Sequence, residues 1–363
     1  MLTPDCSFQG RFLLTLAIAN ARIVGRVRST GGKLSQQSAK QADGPDLDAV
    51  LAALRRDYSK LGPRIRELQH AVLCECSGVT LRLHFPAFRQ GKTTVHELVE
   101  LAWLHLTPFA LTRKEIDAVR ALQSTLPFDD FLVKTTQLND AAAKLFIKAH
   151  KATNRNGEAG ELLLYLLTEW ILGAPQVIAK MTLKTNPQMP VHGADGVHIR
   201  YCPETARLFL YWGESKMYGD VGAAITAAAK SIAKSLKPDE LGHELQLVQR
   251  NIDFTGLDAD GKDALLRYLD PHEEEYNERK DVITCLIGFD FDGFQKASAA
   301  GDQGAEDAFR ALAKEHLEAV APKVAAALKA AGLDSQDVEL FFFPLPAVQE
   351  FRDLFQARIG WLP

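Results

Sequence analysis

The chain has 363 residues, of which 47% are hydrophobic and 24% are charged, and its formal net charge is −4. This composition is typical of a soluble globular protein and excludes a disordered chain. The acidic balance argues against a general nucleic-acid coat protein, and the length allows one large domain or two.

The N-terminal part of the chain divides at a polar stretch. Residues 29–46 are rich in Gly, Ser and Gln and almost free of large hydrophobic side chains, which indicates a linker. We therefore expect an appendage and linker over 1–45 and an N-terminal α/β region over 46–150. Within that region the patterns predict a basic helix (about 47–69), a strand (71–85), a helix (95–111) and a further helix from Thr112.

Three features bear on the compartment of the protein. Residues 12–21 form a short apolar run, but Asp5 offsets Arg11 ahead of it, so the basic region of a signal peptide is missing. No run approaches the roughly eighteen apolar residues that span a bilayer. The five cysteines are odd in number and scattered, which is typical of a reducing compartment. We therefore expect a cytoplasmic protein without a membrane segment.

From residue 151 to 363 the patterns predict one domain. Its elements are a helix (157–173), three strands (176–185, about 194–202 and 206–216), a helix (220–236) and a strand (282–288). A charged, helix-prone insert over about 237–280 precedes the last strand, and a helix over about 304–331 should pack on the sheet. This αβββαβ order predicts an α/β fold with a mixed sheet flanked by helices.

The most specific motif lies at the end of the strand predicted over 206–216. Glu214 and Lys216 are two residues apart, so their side chains project from the same face of a strand. If Asp195 lies on the neighbouring strand of a hairpin, two carboxylates and an ammonium group meet. Two carboxylates can bind Mg²⁺ while phosphate and water complete its shell, and the lysine can orient an attacking water. This is the D…ExK arrangement of metal-dependent phosphodiester hydrolysis.

A motif of the form [DE]-x-K is common by chance, so its position relative to the predicted strands decides whether it indicates a catalytic site. Two further matches, Asp260-Gly261-Lys262 and Glu278-Arg279-Lys280, occur in the chain. The first lies in a polar run and the second precedes a strand, whereas Glu214 closes an apolar strand with Asp195 a hairpin's length upstream. The alternative interpretation of Glu214 and Lys216 is an ordinary ion pair on an edge strand.

Two carboxylates near the start of the helix predicted over 157–173 are further candidates. Glu158 in the first turn is explained by compensation of the helix dipole. Glu161 is followed directly by an apolar run, so we expect it at the rim of the core. Placed beside Asp195 and Glu214, Glu161 would supply a third carboxylate to a metal or its water.

Several segments together resemble the HamA family. They are GEAGELLLYLL, HGADGVHIR, LFLYWGESKMYGD and the late strand VELFFFPLP, and the resemblance runs from about Gly157 to the C-terminus, leaving the first ninety or so residues unmatched. HamA is the nuclease subunit of Hachiman antiphage defence, and the phage-resistance protein AbpA looks similar. The αβββαβ order is also that of the PD-(D/E)xK, or restriction-endonuclease-like, nucleases, here with an N-terminal α/β extension.

The resemblance implies Mg²⁺-dependent cleavage of DNA, with Mn²⁺ as a substitute metal. It also implies a partner helicase, HamB, whose binding holds the nuclease in check. By position, Asp195 and Glu214 would be the metal-binding carboxylates and Lys216 the catalytic lysine. Glu161 would be the carboxylate from the helix, with Glu158 as its competitor. Two alternatives stay open: a catalytically silent nuclease fold that acts as a DNA-sensing or assembly module, and an RNase with the same residues.

Overall fold

The structure is a computed structural model that describes residues 46–69, 74–153, 157–184 and 193–361. The appendage and linker predicted over residues 1–45 therefore lie outside the described residues. The strands that follow come from both of the other predicted regions, 46–150 and 151–363. That division into two regions stays a prediction.

Helices and strands are numbered separately in chain order. The helices are α1 (Leu47–Ala52), α2 (Val95–Leu104), α3 (Leu106–Ala110), α4 (Arg113–Ala121), α5 (Phe128–Thr153), α6 (Glu158–Ile171), α7 (Lys180–Lys184), α8 (Val221–Ser235), α9 (Pro238–Asn251), α10 (Ala259–Arg267), α11 (Gly293–Ser298), α12 (Gly301–Ala330) and α13 (Val348–Arg358). The strands are β1 (Ile65–Glu67), β2 (Val79–Pro86), β3 (Phe88–Arg89), β4 (Lys92–Thr93), β5 (Gly196–Cys202), β6 (Arg207–Tyr218), β7 (Arg279–Asp290) and β8 (Val338–Leu345).

Six strands form one mixed sheet in the order β1-β2-β8-β7-β6-β5. Strands β2, β8, β7 and β6 are parallel, and β1 and β5 pair antiparallel at the two edges. Helices pack on both faces, as parallel strands require because each face of such a sheet is buried. The predicted α/β class, with a mixed sheet flanked by helices, is confirmed.

The two faces of the sheet carry separate hydrophobic clusters. On β6 the residues Leu208, Leu210 and Trp212 belong to the cluster that contains α8 and α12. Tyr211 and Met217 belong to the cluster that contains α6 and α13. Successive side chains of a strand point to opposite faces, so β6 is buried on both sides, and the parity of a residue decides which helices it meets.

Two predicted elements are wrong. The strand expected over 176–185 is a single bridge between Gln176 and His198 followed by α7. The basic helix expected over 47–69 ends early: α1 stops at Ala52, turns follow, and β1 pairs with β2. Gly62-Pro63 opposes a continuous helix there, because proline lacks the N–H group that a helix interior uses.

Within the described residues, no helix is both long enough and apolar enough to cross a membrane.

A buried histidine on β2 makes stability depend on pH. His84 is fully buried between Trp170 and Phe341, with ring centroids 6.4 and 5.7 Å away. Burial, helped by the charge of Arg82, lowers the pKa of His84 from 6.5 to about 3. Below pH 6.5, His84 is therefore protonated in the unfolded chain but stays neutral in the folded chain. This difference lowers the free energy of unfolding by about 1.4 kcal/mol per pH unit.

We expect His84→Leu to remove this dependence. Between pH 7.5 and pH 5 its free energy of unfolding should fall by about 2 kcal/mol less than that of the wild type. Urea unfolding at the two pH values measures the difference. The exposed His243→Gln is the control and should keep the wild-type response. An identical loss in His84→Leu and in the wild type would contradict the assignment.

Candidate metal and catalytic site

The β5–β6 hairpin brings Asp195 next to Glu214. Its register pairs Gly196 with Gly213, and the N–H of Asp195 donates to the carbonyl oxygen of Gly213 at 2.6 Å. Asp195 directly precedes the first residue of β5, and Glu214 directly follows the last β6 residue that pairs with β5. The two residues therefore lie side by side. The hairpin that the sequence predicted is present, with Asp195 and Glu214 at its open end.

Glu214 and Lys216 project from β6 on the face covered by α8. They continue the row of Leu210 and Trp212, and Lys216 Nζ donates to Glu214 Oε1. Glu214 is only 8% exposed, and the Lys216 side chain is 22% exposed. The predicted pair is thus formed at the margin of the core, where one end still meets solvent.

The carboxylate of Asp195 is held by the backbone of β6. Its Oδ2 atom accepts a hydrogen bond from the N–H of Ser215 at 2.9 Å. Ser215 lies between Glu214 and Lys216, so its amide fixes Asp195 against the same two residues. Sequence patterns could not predict this contribution, because a backbone amide leaves no signal in residue type.

The charges in the site are unbalanced. Burial, and then the nearby charge of Asp195, raise the pKa of Glu214, while Lys216 and Ser231 of α8 act in the opposite direction. Burial would lower the pKa of Lys216, but the charges of Glu214 and Asp195 outweigh it and raise that pKa. Two carboxylates thus share one ammonium group. A further cation at this point would relieve their repulsion.

A cysteine lies beside the carboxylates on the next strand. Cys285 of β7 is the register partner of Glu214. Burial first, and then the charge of Glu214, raise the pKa of the Cys285 thiol. It stays protonated at neutral pH, and only a thiolate is a good metal ligand. Cys285 is therefore a small hydrophobic side chain under the site.

Helix α6, which carries Glu158 and Glu161, packs on the other face of the sheet. Helix α6 packs against that face so closely at Gly160 that an added Cβ atom would overlap the side chains of Ser215 and Met217. Glu158 lines a cleft with Phe146, Arg352, Phe355 and Trp361. Glu161 lies on α6, across the sheet from Glu214. To approach Asp195 and Glu214, its side chain would have to pass around the edge of β6 beyond Gly213, where pairing with β5 has ended. Its place among the metal ligands stays a prediction.

Asp195 and Glu214 fit a Mg²⁺ ion better than a transition metal. Mg²⁺ is commonly bound through one or two carboxylates, with water and phosphate oxygens in its other positions. No group of three or more His, Cys, Asp or Glu side chains is arranged to hold a metal in the part of the chain that the structure describes. A structural zinc site would need four such ligands, whereas the two carboxylates here leave room for substrate.

Comparison with known proteins identifies the family. A model described as HamA matches residues 65–359, which confirms the resemblance found in the sequence. The match begins at β1 and not near Gly157, so it includes β2 and α2–α5, which precede the part of the chain that carries the resemblance. No curated protein matches the chain.

The charge imbalance predicts stabilisation by Mg²⁺. A ligand that binds only the folded chain adds about 2.7 kcal/mol to the free energy of unfolding at 100 times its Kd. We expect Mg²⁺ to raise the Tm of the wild type above its value in EDTA, and to leave the Tm of Glu214→Gln unchanged because one ligand is lost. Glu278→Gln, in the other Glu-x-Lys motif, is the matched control and should respond like the wild type. Thermal unfolding by circular dichroism measures all three, and an equal rise in Glu214→Gln would exclude Glu214 as a ligand.

Proposed function

We propose that this chain, which belongs to the HamA family of Hachiman antiphage defence components, is a Mg²⁺-dependent endonuclease that hydrolyses phosphodiester bonds in DNA. One observation carries the proposal. Asp195, Glu214 and Lys216 meet at the open end of the β5–β6 hairpin, where β6 has no antiparallel partner among the residues that the structure describes and substrate could approach. Asp195 and Glu214 supply the negative charge that binds a metal, and Lys216 supplies the positive charge that stabilises the transition state.

In this mechanism Asp195 and Glu214 would hold the metal. When bound, Mg²⁺ supplies Lewis-acid stabilisation of the charge that develops on the phosphate and acidifies a bound water. Asp195 is kept in place by the Ser215 amide, so its carboxylate needs no reorganisation when substrate arrives. Glu161 would assist from α6 if it reaches the same edge of β6.

Lys216 would place the attacking water. Its ammonium group already donates to Glu214 Oε1, so it stands beside the carboxylate that faces the metal. From there it can donate to a water or to a phosphate oxygen and stabilise negative charge in the transition state.

Family membership supports a two-component system. We propose that a HamB-like helicase binds the chain and restrains cleavage until it engages DNA. Substrate specificity would then be delivered by the partner, which agrees with a net charge of −4 on a chain that acts on nucleic acid. Mn²⁺ should substitute for Mg²⁺, because both prefer oxygen ligands.

Cleavage of plasmid and linear DNA by the purified chain tests the proposal. We expect cleavage in Mg²⁺ and none in EDTA, with the helicase from the neighbouring gene both present and absent. Glu214→Gln and Lys216→Met should each lower the rate by about 100-fold or more, because each removes a charge that acts in the transition state. Glu278→Gln should cleave like the wild type.

Three results would count against the proposal. Equal cleavage by Glu214→Gln and the wild type would remove the site assignment. Cleavage of RNA in preference to DNA would favour the RNase alternative. If no condition gave cleavage and a Glu214→Gln strain still resisted phage, the silent module would be favoured.

A further inference from the structure

A buried ion pair lies behind the loop that carries Asp195. Lys180 of α7 is 2% exposed, and Glu244 of α9 is 4% exposed. Lys180 Nζ donates to Glu244 Oε2 at 2.5 Å and to the carbonyl oxygen of Ala194 at 2.6 Å. The pair therefore holds the backbone one residue before the candidate metal ligand.

Glu244 also occupies the space that a side chain at Gly193 would need. A Cβ atom added to Gly193 would overlap the Glu244 carboxylate. Gly193 has φ +133°, a backbone conformation that favours glycine. Glu244 Oε1 is buried and has no hydrogen-bond partner among the described residues. The Glu244 carboxylate is thus packed against Gly193, although burial removes the hydrogen bonds that its Oε1 atom would make to water.

The loop is held from two sides. On one side, β6 fixes Asp195 through the carbonyl oxygen of Gly213 and the amide of Ser215. On the other side, Lys180 and Glu244 fix residues 193 and 194. A shift of the Ala194 carbonyl would be transmitted through one peptide unit to Asp195, because the peptide bond is planar and rigid.

The segment just after α9 is connected to β5 through Val177. Just after α9, the N–H of Asp253 donates to the carbonyl oxygen of Val177 at 2.9 Å, and the N–H of Val177 donates to Val197 of β5 at 3.0 Å. The same helix that carries Glu244 is therefore tied to the strand that begins after Asp195. Other positions of α9, among them His243, Gln246 and Arg250, are exposed.

Stability alone is a weak reason for such a pair. Taking both charges out of water costs several kcal/mol, and apolar side chains of similar volume often serve as well or better. A role in placing the loop gives the pair a purpose that apolar packing cannot supply, since only a donor can hold the Ala194 carbonyl oxygen.

We propose that Lys180 and Glu244 are positioning residues that hold Asp195 beside Glu214, and that through them α9 is coupled to the metal-binding carboxylates. Neither side chain touches substrate. The inference rests on the proposed function, because it assigns the pair a role toward a metal at Asp195. Partners of metal ligands commonly change metal affinity by 10- to 100-fold when they are replaced.

The test uses a variant that removes both charges and keeps the volume, Lys180→Met/Glu244→Leu, in the full chain. Titration calorimetry with Mn²⁺ as the probe measures metal affinity without any nuclease turnover, and thermal unfolding in EDTA measures the fold. We expect the Tm in EDTA to stay close to that of the wild type and the Kd for Mn²⁺ to rise at least about 10-fold.

A second ion pair provides the matched control. Lys280 and Asp337 lie 2.9 Å apart at the amino ends of β7 and β8, away from the loop. Lys280→Met/Asp337→Leu should keep the wild-type Kd for Mn²⁺ whatever it does to the Tm. A reduced affinity in this control as well would overturn the inference, because the effect would then follow stability and not position.

The other outcomes are equally decisive. A folded Lys180→Met/Glu244→Leu chain with the wild-type Kd would overturn the positioning role and leave the proposed function intact. If that variant does not fold, Glu244→Asp replaces it: the charge stays while the carboxylate withdraws from Gly193, and an unchanged Kd would again overturn the role. A wild-type chain that does not bind Mn²⁺ would overturn the proposed function and this inference with it.

Discussion

The alternation of side chains along β6 is the constraint on which the site depends. Leu208, Leu210 and Trp212 face the cluster around α8, and the same row continues as Glu214 and Lys216. Because β7 pairs with β6 from Leu208 to Tyr218 while pairing with β5 ends at Gly213, the row passes from a closed core to an open edge within one strand. A slip of one residue in register would send both charged side chains to the face covered by α6, where Ser215 and Met217 pack closely against Gly160.

Much of this arrangement could be predicted from local pattern. The apolar run before Glu214, the two-residue spacing to Lys216 and the position of Asp195 one hairpin upstream were enough to place three residues together. The strand expected over 176–185 failed for a different reason. The N–H of Val177 donates to the carbonyl oxygen of Val197 in β5, and the chain then turns into α7, where Lys180 contacts Ala194 and Glu244. Those partners come from distant positions, which periodicity cannot show.

Long-range pairing was equally hidden. The patterns predicted an α/β region near the N-terminus, but nothing in its sequence shows that β2 lies beside β8, with Val79 opposite Val338. The family match from residue 65 onward agrees with this pairing, since β1 and β2 complete the sheet that carries the site. Contacts of backbone groups could not be predicted either. The Ser215 amide and the Ala194 carbonyl oxygen both help to place Asp195, and neither contact depends on the side chain of Ser215 or Ala194.

The position of β8 between β7 and β2 has a consequence for synthesis. When the ribosome reaches the end of α12, β5 and β6 have been made and can pair with β7, yet β2 has only the short β1 beside it. The sheet stays in two pieces until the segment after Asp337 emerges and inserts between them. A nascent chain therefore exposes the inner edges of two half-sheets until β8 has been translated.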